Sequence, residues 1–375
     1  MLKSHFNLVK DDEEPDEQEP SISPGSPVAS PSVSPSAYHG EMLPEQEETA
    51  VDEELPMVFP ERKLNRSEVS VRLSLLGKIA EGDGYTYLKA TCTGMNLTDI
   101  SALKAFKHLQ FVDVSNNNLN LESLQAVTEL PFLVLIHADK NNLKSAALKR
   151  MKYMQVIIMN NNNLASVHDV YQPELSTLEV GYNKITKIHF ESKMPTLKCL
   201  DFRYNLIHDI ADFDFPNLDS LYLAGNKITS LVGLEKLENL RVLHVRNNPI
   251  KLLNGFEPAL KKLQYINLRN CKVATLKQVK KLRVLTGLEV LILKGCPFMG
   301  GTGEEDAEIA AEEDDAELRV EILASLPRLK RINKGVITPE ERTEANDLMK
   351  VWLEEGENDE EEVDEEHNEE DSNED

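Results

Sequence analysis

The chain has 375 residues and four cysteines, and its 65 acidic against 41 basic side chains give a formal net charge of −24. So few cysteines exclude a disulfide-built scaffold. No stretch reaches the roughly 18 consecutive apolar residues of a membrane span, and the opening MLKSHFNLVKDDEE lacks the apolar run of a signal peptide. The expectation is an intracellular, reducing setting in the cytoplasm, with no membrane contact.

The overall charge misleads about the folded part. Residues 1–60 hold 14 acids and two lysines, residues 299–318 nine acids and no base, and residues 354–375 fifteen acids and no base. What remains carries 27 acids against 39 bases, a basic body with acidic attachments. Such a body suits an acidic partner surface, or masking by its own tails.

In chain order, residues 1–63 read as a disordered arm, two acidic blocks around SISPGSPVASPSVSPS. Ser23, Ser26, Ser30 and Ser34 each precede proline, the context of proline-directed phosphorylation, although a solvated spacer explains them as well. Ser67 is read as an N-cap opening a helix with Val69, Leu73, Leu76 and Ile79 or Ala80 on one face, ended by Gly82 and Gly84. That helix is expected to cover the open edge of the first repeat.

The organising pattern follows. In LDSLYLAGNKI, residues 218–228, apolar residues stand at places one, four, six and eleven and an asparagine at nine. The frame recurs at Leu109, Leu133, Met154, Leu175, Leu197, Leu240, Leu263 and Leu288, with a degenerate copy starting at Tyr87. Ten copies at a period of roughly 22 residues specify a solenoid of leucine-rich repeats. Places four and six lie two apart, so both leave one face of a short strand and point inward. The asparagines at place nine (Asn117, Asn141, Asn162, Asn183, Asn205, Asn226, Asn248) form a ladder, with Cys271 and Cys296 as structural substitutes. Ile210 and Phe213, Leu231 and Leu234, Leu253 and Phe256, and Leu276 and Val279 close the convex side.

After the repeats of residues 64–298 comes an acidic insertion, 299–318. Its run Gly300, Gly301, Thr302, Gly303 lacks the lysine of a phosphate loop and reads as flexible linker. The pattern resumes at Leu326, Leu329 and Ile332, within a C-terminal cap spanning 319–353. Thr338, Pro339, Glu340 and Glu341 make a capping box with proline at the first helical place, opening a helix that presents Ala345, Leu348, Met349 and Trp352. Residues 354–375 read as a disordered acidic tail. The fold class is therefore α/β: a solenoid of short repeats with a parallel concave sheet and helical caps at both ends.

Catalysis needs a nucleophile and a base within about 3 Å. The concave His137 and His244 stand five repeats apart, roughly 24 Å at about 4.8 Å per strand. His168 and His189 occupy equivalent convex places in neighbouring repeats, a pair too small for a metal site. No enzyme, cofactor or metal is expected. Reading down place seven gives Arg203, Arg246, Arg269 and Lys294 in the C-terminal half; place eight adds Tyr182 and Tyr204, place five Tyr222 and His244, and place three Tyr265. Tyrosine beside arginine on a rigid sheet is the composition of protein hot spots. Tyr182, Arg203, Tyr204, Tyr222, Arg246 and Arg269 are expected to dock an acidic or phosphorylated protein segment, with His244, Tyr265 and Lys294 beside them. Nucleic acid is disfavoured, because the acidic tails compete with phosphate and no helix offers clustered lysines to a groove.

LSLLGKIAEGDG followed by MNLTDISALKAFKHLQFVDVSNNNL, the block NLRVLHVRNNPIKLLNGFEPALKKLQYINLRNCKVATL, and the ending SLPRLKRINKGVITPEERTEA resemble the leucine-rich repeat-containing protein 23 family, radial-spoke proteins of motile cilia. The resemblance spans roughly residues 68–352. It implies a non-enzymatic component of the flagellar axoneme and its cytoskeleton that binds other radial-spoke proteins, helps hold the spoke head, and supports sperm motility. It also implies docking through the last repeats and residues 319–353. A regulatory subunit of a protein phosphatase and an acidic-tailed nuclear chaperone of basic proteins are the alternatives.

Overall fold

The computed structural model describes residues 59–79, 82–211, 214–304 and 315–354. The expectations for Ser23, Ser26, Ser30, Ser34, Ala80 and Phe213, for most of the acidic insertion and for the acidic tail beyond residue 354 lie outside the described residues.

Thirteen strands form one sheet in strict chain order. They are β1 (Leu73–Lys78), β2 (Tyr85–Thr91), β3 (Phe111–Asp113), β4 (Leu135–His137), β5 (Val156–Ile158), β6 (Thr177–Glu179), β7 (Cys199–Asp201), β8 (Ser220–Tyr222), β9 (Val242–His244), β10 (Tyr265–Asn267), β11 (Val290–Ile292), β12 (Arg331–Ile332) and β13 (Gly335–Val336). From β2 to β12 all pairing is parallel. The register sets Ala90 beside Val112, then Ile136, Ile157, Leu178, Leu200, Leu221, Leu243, Ile266, Leu291 and Ile332. These are the residues at place four of each frame and, in Ile332, of a short eleventh coil. All are buried, so a one-residue slip anywhere would turn a whole row of core side chains outward.

The asparagine ladder carries the bend after each strand. Asn117 Nδ2 donates to the carbonyls of Cys92 (2.8 Å) and Val114 (2.9 Å), while its Oδ1 accepts from the Leu97 amide at 3.0 Å. Each buried amide thus joins two coils and satisfies backbone groups that a turn leaves open. Cys271 Sγ and Cys296 Sγ donate to the Val245 and Leu268 carbonyls at 3.3 and 3.1 Å, the same duty with one donor. The convex side is closed by short turns of helix, among them α2 (Leu121–Leu124) and α3 (Leu276–Lys280). Ile210, Leu231, Leu234, Leu253, Phe256 and Val279 are buried beneath this side as expected.

The N-terminal cap departs from expectation. Helix α1 covers only Arg66–Ser70, and its N-cap is Asn65 instead of Ser67. Leu73 and Leu76 belong to β1, which pairs antiparallel with β2. Gly82, with φ +102°, lies in the segment joining the two strands and ends no helix. The physical reason is the open edge of β2: a strand satisfies its backbone N–H and C=O groups, which a helix laid across it cannot. The outer element over the first repeat is thus a hairpin, and Val69 of the short α1 is buried.

The C-terminal cap follows its sequence more closely. Helix α5 (Pro339–Glu354) starts with the expected box: the Thr338 amide donates to Glu341 Oε2 at 2.7 Å, and the Glu341 amide to Thr338 Oγ1 at 3.2 Å. An additional helix, α4 (Ala316–Ser325), takes up residues read as the end of the insertion. Its buried Arg319 donates from Nε to Glu341 Oε1 at 2.6 Å and from Nη1 to the Ile332 carbonyl at 2.9 Å. Burial pushes the Glu341 carboxyl up, but the Arg319 bond and the Thr338 amide outweigh it and hold it below the usual range. Nor is the glycine run a loose linker. The Gly301 amide donates to the Cys296 carbonyl (3.0 Å) and the Gly303 amide to the Gly295 carbonyl (2.8 Å), and a Cβ on Gly301 would collide with the Gly295 backbone.

Candidate functional site

Places three, five and seven line the open face of the sheet, and the two halves of that face differ. Across β3 to β6 the polar side chains engage one another. His137 lies between Asp113 (Nδ1 to Oδ2, 3.4 Å) and Asp139 (Nε2 to Oδ2, 3.1 Å). Asp139 Oδ1 accepts from the Asn160 amide at 2.7 Å, and Asn160 Oδ1 from the Gly181 amide at 2.7 Å. Hydrogen bonds to Asp113 and Asp139 raise the His137 pKa to about 10 despite burial. Burial works to raise Asp113, but its bonds with His137 and Ser115 prevail and bring it to about 2. This half is an internal ion cluster, and none of it was singled out from sequence as a unit.

The predicted residues come together in the other half, in two groups. Tyr182 and Tyr204, at place eight of neighbouring coils, stack with ring centroids 4.6 Å apart. Both have left-handed backbones, φ +55° and +52°. The turn imposes this conformation at place eight in every frame: Asn116, Asn161, Asn247 and Asn270 hold it, as do Gly94, Gly225, Gly295 and Lys140. Asparagine and glycine suit this region, whereas an ordinary side chain costs roughly 1–2 kcal/mol. Two consecutive tyrosines therefore stand against the local preference. Gly225 makes room for the second, since a Cβ there would collide with the Tyr204 ring. Tyr182 is 48% exposed. The sequence signal was available, tyrosine replacing asparagine in one column, but it shows only once that column is known to need positive φ.

The second group is a row of rings on the strands. Tyr222 stacks on His244 and His244 on Tyr265, both at 4.8 Å between centroids. Burial pushes the Tyr222 hydroxyl up to about 12, so it remains a donor at physiological pH. Beside the row runs the cationic column, which is not uniform. Arg203 Nε donates to Asp201 Oδ1 and Oδ2 at 2.9 Å, and Nη2 donates to Oδ2 at 2.6 Å. Its guanidinium lies 5.7 Å from the Tyr222 ring centroid. Arg203 therefore braces the ring row, and its charge is matched by Asp201. Arg246 and Arg269, both half-buried, form no ion pair among the described residues. Lys294 lies on the next coil, half-buried.

Two further features bear on the predicted sites. A cleft of about 370 Å³ opens in the C-terminal part, lined by Leu285, Leu288, Leu326, Met349 and Trp352; Lys280 Nζ stands 4.6 Å from the Trp352 ring centroid. On the convex side, His168 and His189 line a shallow cavity with Ser166, whose hydroxyl pairs with His168 Nδ1 at 2.8 Å. No group of three or more His, Cys, Asp or Glu side chains suited to a metal ion occurs among the described residues.

Against known proteins, the profile of the leucine-rich repeats (two copies) matches residues 216–258. Leucine-rich repeat-containing protein 23 of Bos taurus is 33% identical over 278 residues, covering 74% of this chain and 77% of that protein. The Homo sapiens protein of that name is 32% identical over 77% of this chain and 80% of its own length. The Xenopus tropicalis protein is 33% identical over 79% and 81%.

Proposed function

We propose a protein-binding scaffold role for this chain, which belongs to the leucine-rich repeat-containing protein 23 family. It carries out no reaction of its own; it is an axonemal component that joins other radial-spoke proteins, helps hold the spoke head, and so supports flagellar beating in sperm. The observation that carries the docking part is the pair of stacked tyrosines held at left-handed backbone positions. Strain of this kind persists where the surroundings enforce it, and it clusters at binding sites. Arg246 and Arg269 beside the ring row, without an ion pair among the described residues, give the surface its sign: it suits an acidic segment. The cleft around Trp352 fits the docking through the C-terminal part that the family resemblance implies.

Two measurements test this reading. Detergent extraction of sperm, followed by fractionation, is expected to leave the chain in the axonemal pool at high salt. Exclusive recovery in the soluble pool, or nuclear recovery with a phosphatase or histones, would overturn the spoke assignment. Separately, Arg246→Glu with Arg269→Glu is expected to reduce capture of axonemal partners at low salt at least about tenfold; unchanged capture would overturn the docking site.

A further inference from the structure

The concave C-terminal half constrains the shape of what binds there, an inference that rests on the docking reading above. Strands β8 to β11 are interior strands, bonded on both sides, so a partner cannot join them by adding a strand. It must lie across them on side chains. Those side chains form two neighbouring rows running from coil to coil along the solenoid axis: the rings, with Tyr222 and His244 in register and Tyr265 two residues nearer the start of its strand, and the cations Arg246 and Arg269 on adjacent coils. The rings recur at 4.8 Å, matching the spacing of about 4.8 Å between strands.

A segment lying along that axis must offer side chains at nearly the same interval. An α-helix turns the same face inward every 5.4 Å or so, and an extended chain every 6.8 Å or so. Across three strands the helix drifts from the ladder by about 1.2 Å and the extended chain by about 4 Å. A helix also carries two adjacent stripes on one side, through positions i, i+3, i+4 and i+7, whereas one face of an extended chain carries a single row. We infer that this half receives an amphipathic acidic helix of a partner protein, with carboxylates one turn apart on Arg246 and Arg269 and an adjoining apolar stripe on Tyr222, His244 and Tyr265.

The test uses the full chain and two fluorescein-labelled synthetic peptides of identical Ala, Glu and Leu composition. In one, glutamates recur at i, i+4 and i+7 beside a leucine stripe; in the other, the same residues are reordered so that glutamates alternate. Anisotropy titrations are expected to show the first binding at least about tenfold more tightly, gaining helical circular dichroism as it binds and losing the advantage with R246E/R269E. An unchanged unfolding midpoint for that double variant separates lost binding from lost fold. If the alternating peptide binds as well or better, still depending on both arginines, the helix inference fails and the docking site stands. Binding insensitive to both arginines, or absent for both peptides up to about 1 mM, overturns both.

Discussion

The two halves of the open face share one frame, one register and one asparagine ladder, yet they handle charge in opposite ways. Between β3 and β6 the carboxylates of Asp113 and Asp139 close on His137. Between β8 and β11, Arg246 and Arg269 stand beside stacked rings and form no ion pair among the described residues. Charge that a fold neutralises within itself holds coils together. Charge left over beside strained or stacked rings is available to another molecule. Sequence columns alone do not separate the two cases, because both read as polar residues at places five and seven.

Removing the shared frame should hurt both halves alike, and hurt most. Asn141→Ala and Asn226→Ala each strip a buried amide bonded to carbonyls of two coils. Each is expected to cost roughly 2–4 kcal/mol in denaturant unfolding; a loss confined to one half would show that the coils are not equivalent. Next comes the boundary between the halves. Asp201→Asn leaves the Arg203 guanidinium without its carboxylate and is expected to cost about 2 kcal/mol, with partial recovery on adding Arg203→Met. The comparison itself is sharpened by opposite pairs. Asp113→Asn with Asp139→Asn is expected to lower stability without touching partner capture. Arg246→Glu with Arg269→Glu is expected to reduce capture at least about tenfold while stability stays within about 0.5 kcal/mol.

The ion cluster also sets a dependence on pH. His137 titrates near 10 when folded against an ordinary value of 6.5, so its contribution is complete below pH 6.5 and is lost as pH rises through 10. Asp113 moves the other way, from 3.8 to about 2: its contribution is present above pH 3.8 and is lost as pH falls through 2. Unfolding followed across pH is expected to show both limbs, with the alkaline one flattened by His137→Gln and unaltered by R246E/R269E. Smallest of all is the effect of Tyr182→Asn on stability, within about 0.5 kcal/mol, because relief of the left-handed backbone offsets the lost ring contact. Its effect on partner capture is expected to exceed its effect on the fold.

Much of the fold was legible because the frame is periodic and every place in it has a physical duty. Leu221, Asn226 and Ile228 are predictable from spacing alone, as is the capping box at Thr338. The N-terminal cap reads as a helix because VSVRLSLLGKIA carries apolar residues at helical intervals, while the deciding factor, the open edge of β2, is a property of its neighbour. Helix α4 was missed because its start lies in a run of acids, where a solvated linker and a helix have similar composition; Arg319, which ties it to Glu341, has its partner 22 residues away. The candidate site was legible as a set of columns but not as a division of labour. That Arg203 reaches over the Tyr222 ring and that Tyr204 packs against Tyr182 and Gly225 depends on contacts between coils that no single frame contains.

The fastening at Arg319 and Glu341 also gives the molecule a direction of melting. Each coil is supported chiefly by the one before and the one after, so disorder enters from an end and advances as a front. Both ends of the sheet close on an edge strand, but one is stitched to α5 through a buried guanidinium, whereas the other leaves Leu75 and Leu76 of β1 facing solvent. Amide exchange should therefore fade gradually from the first coil towards the tenth, and the rings and arginines of the C-terminal half would be among the last parts of the chain to lose their places.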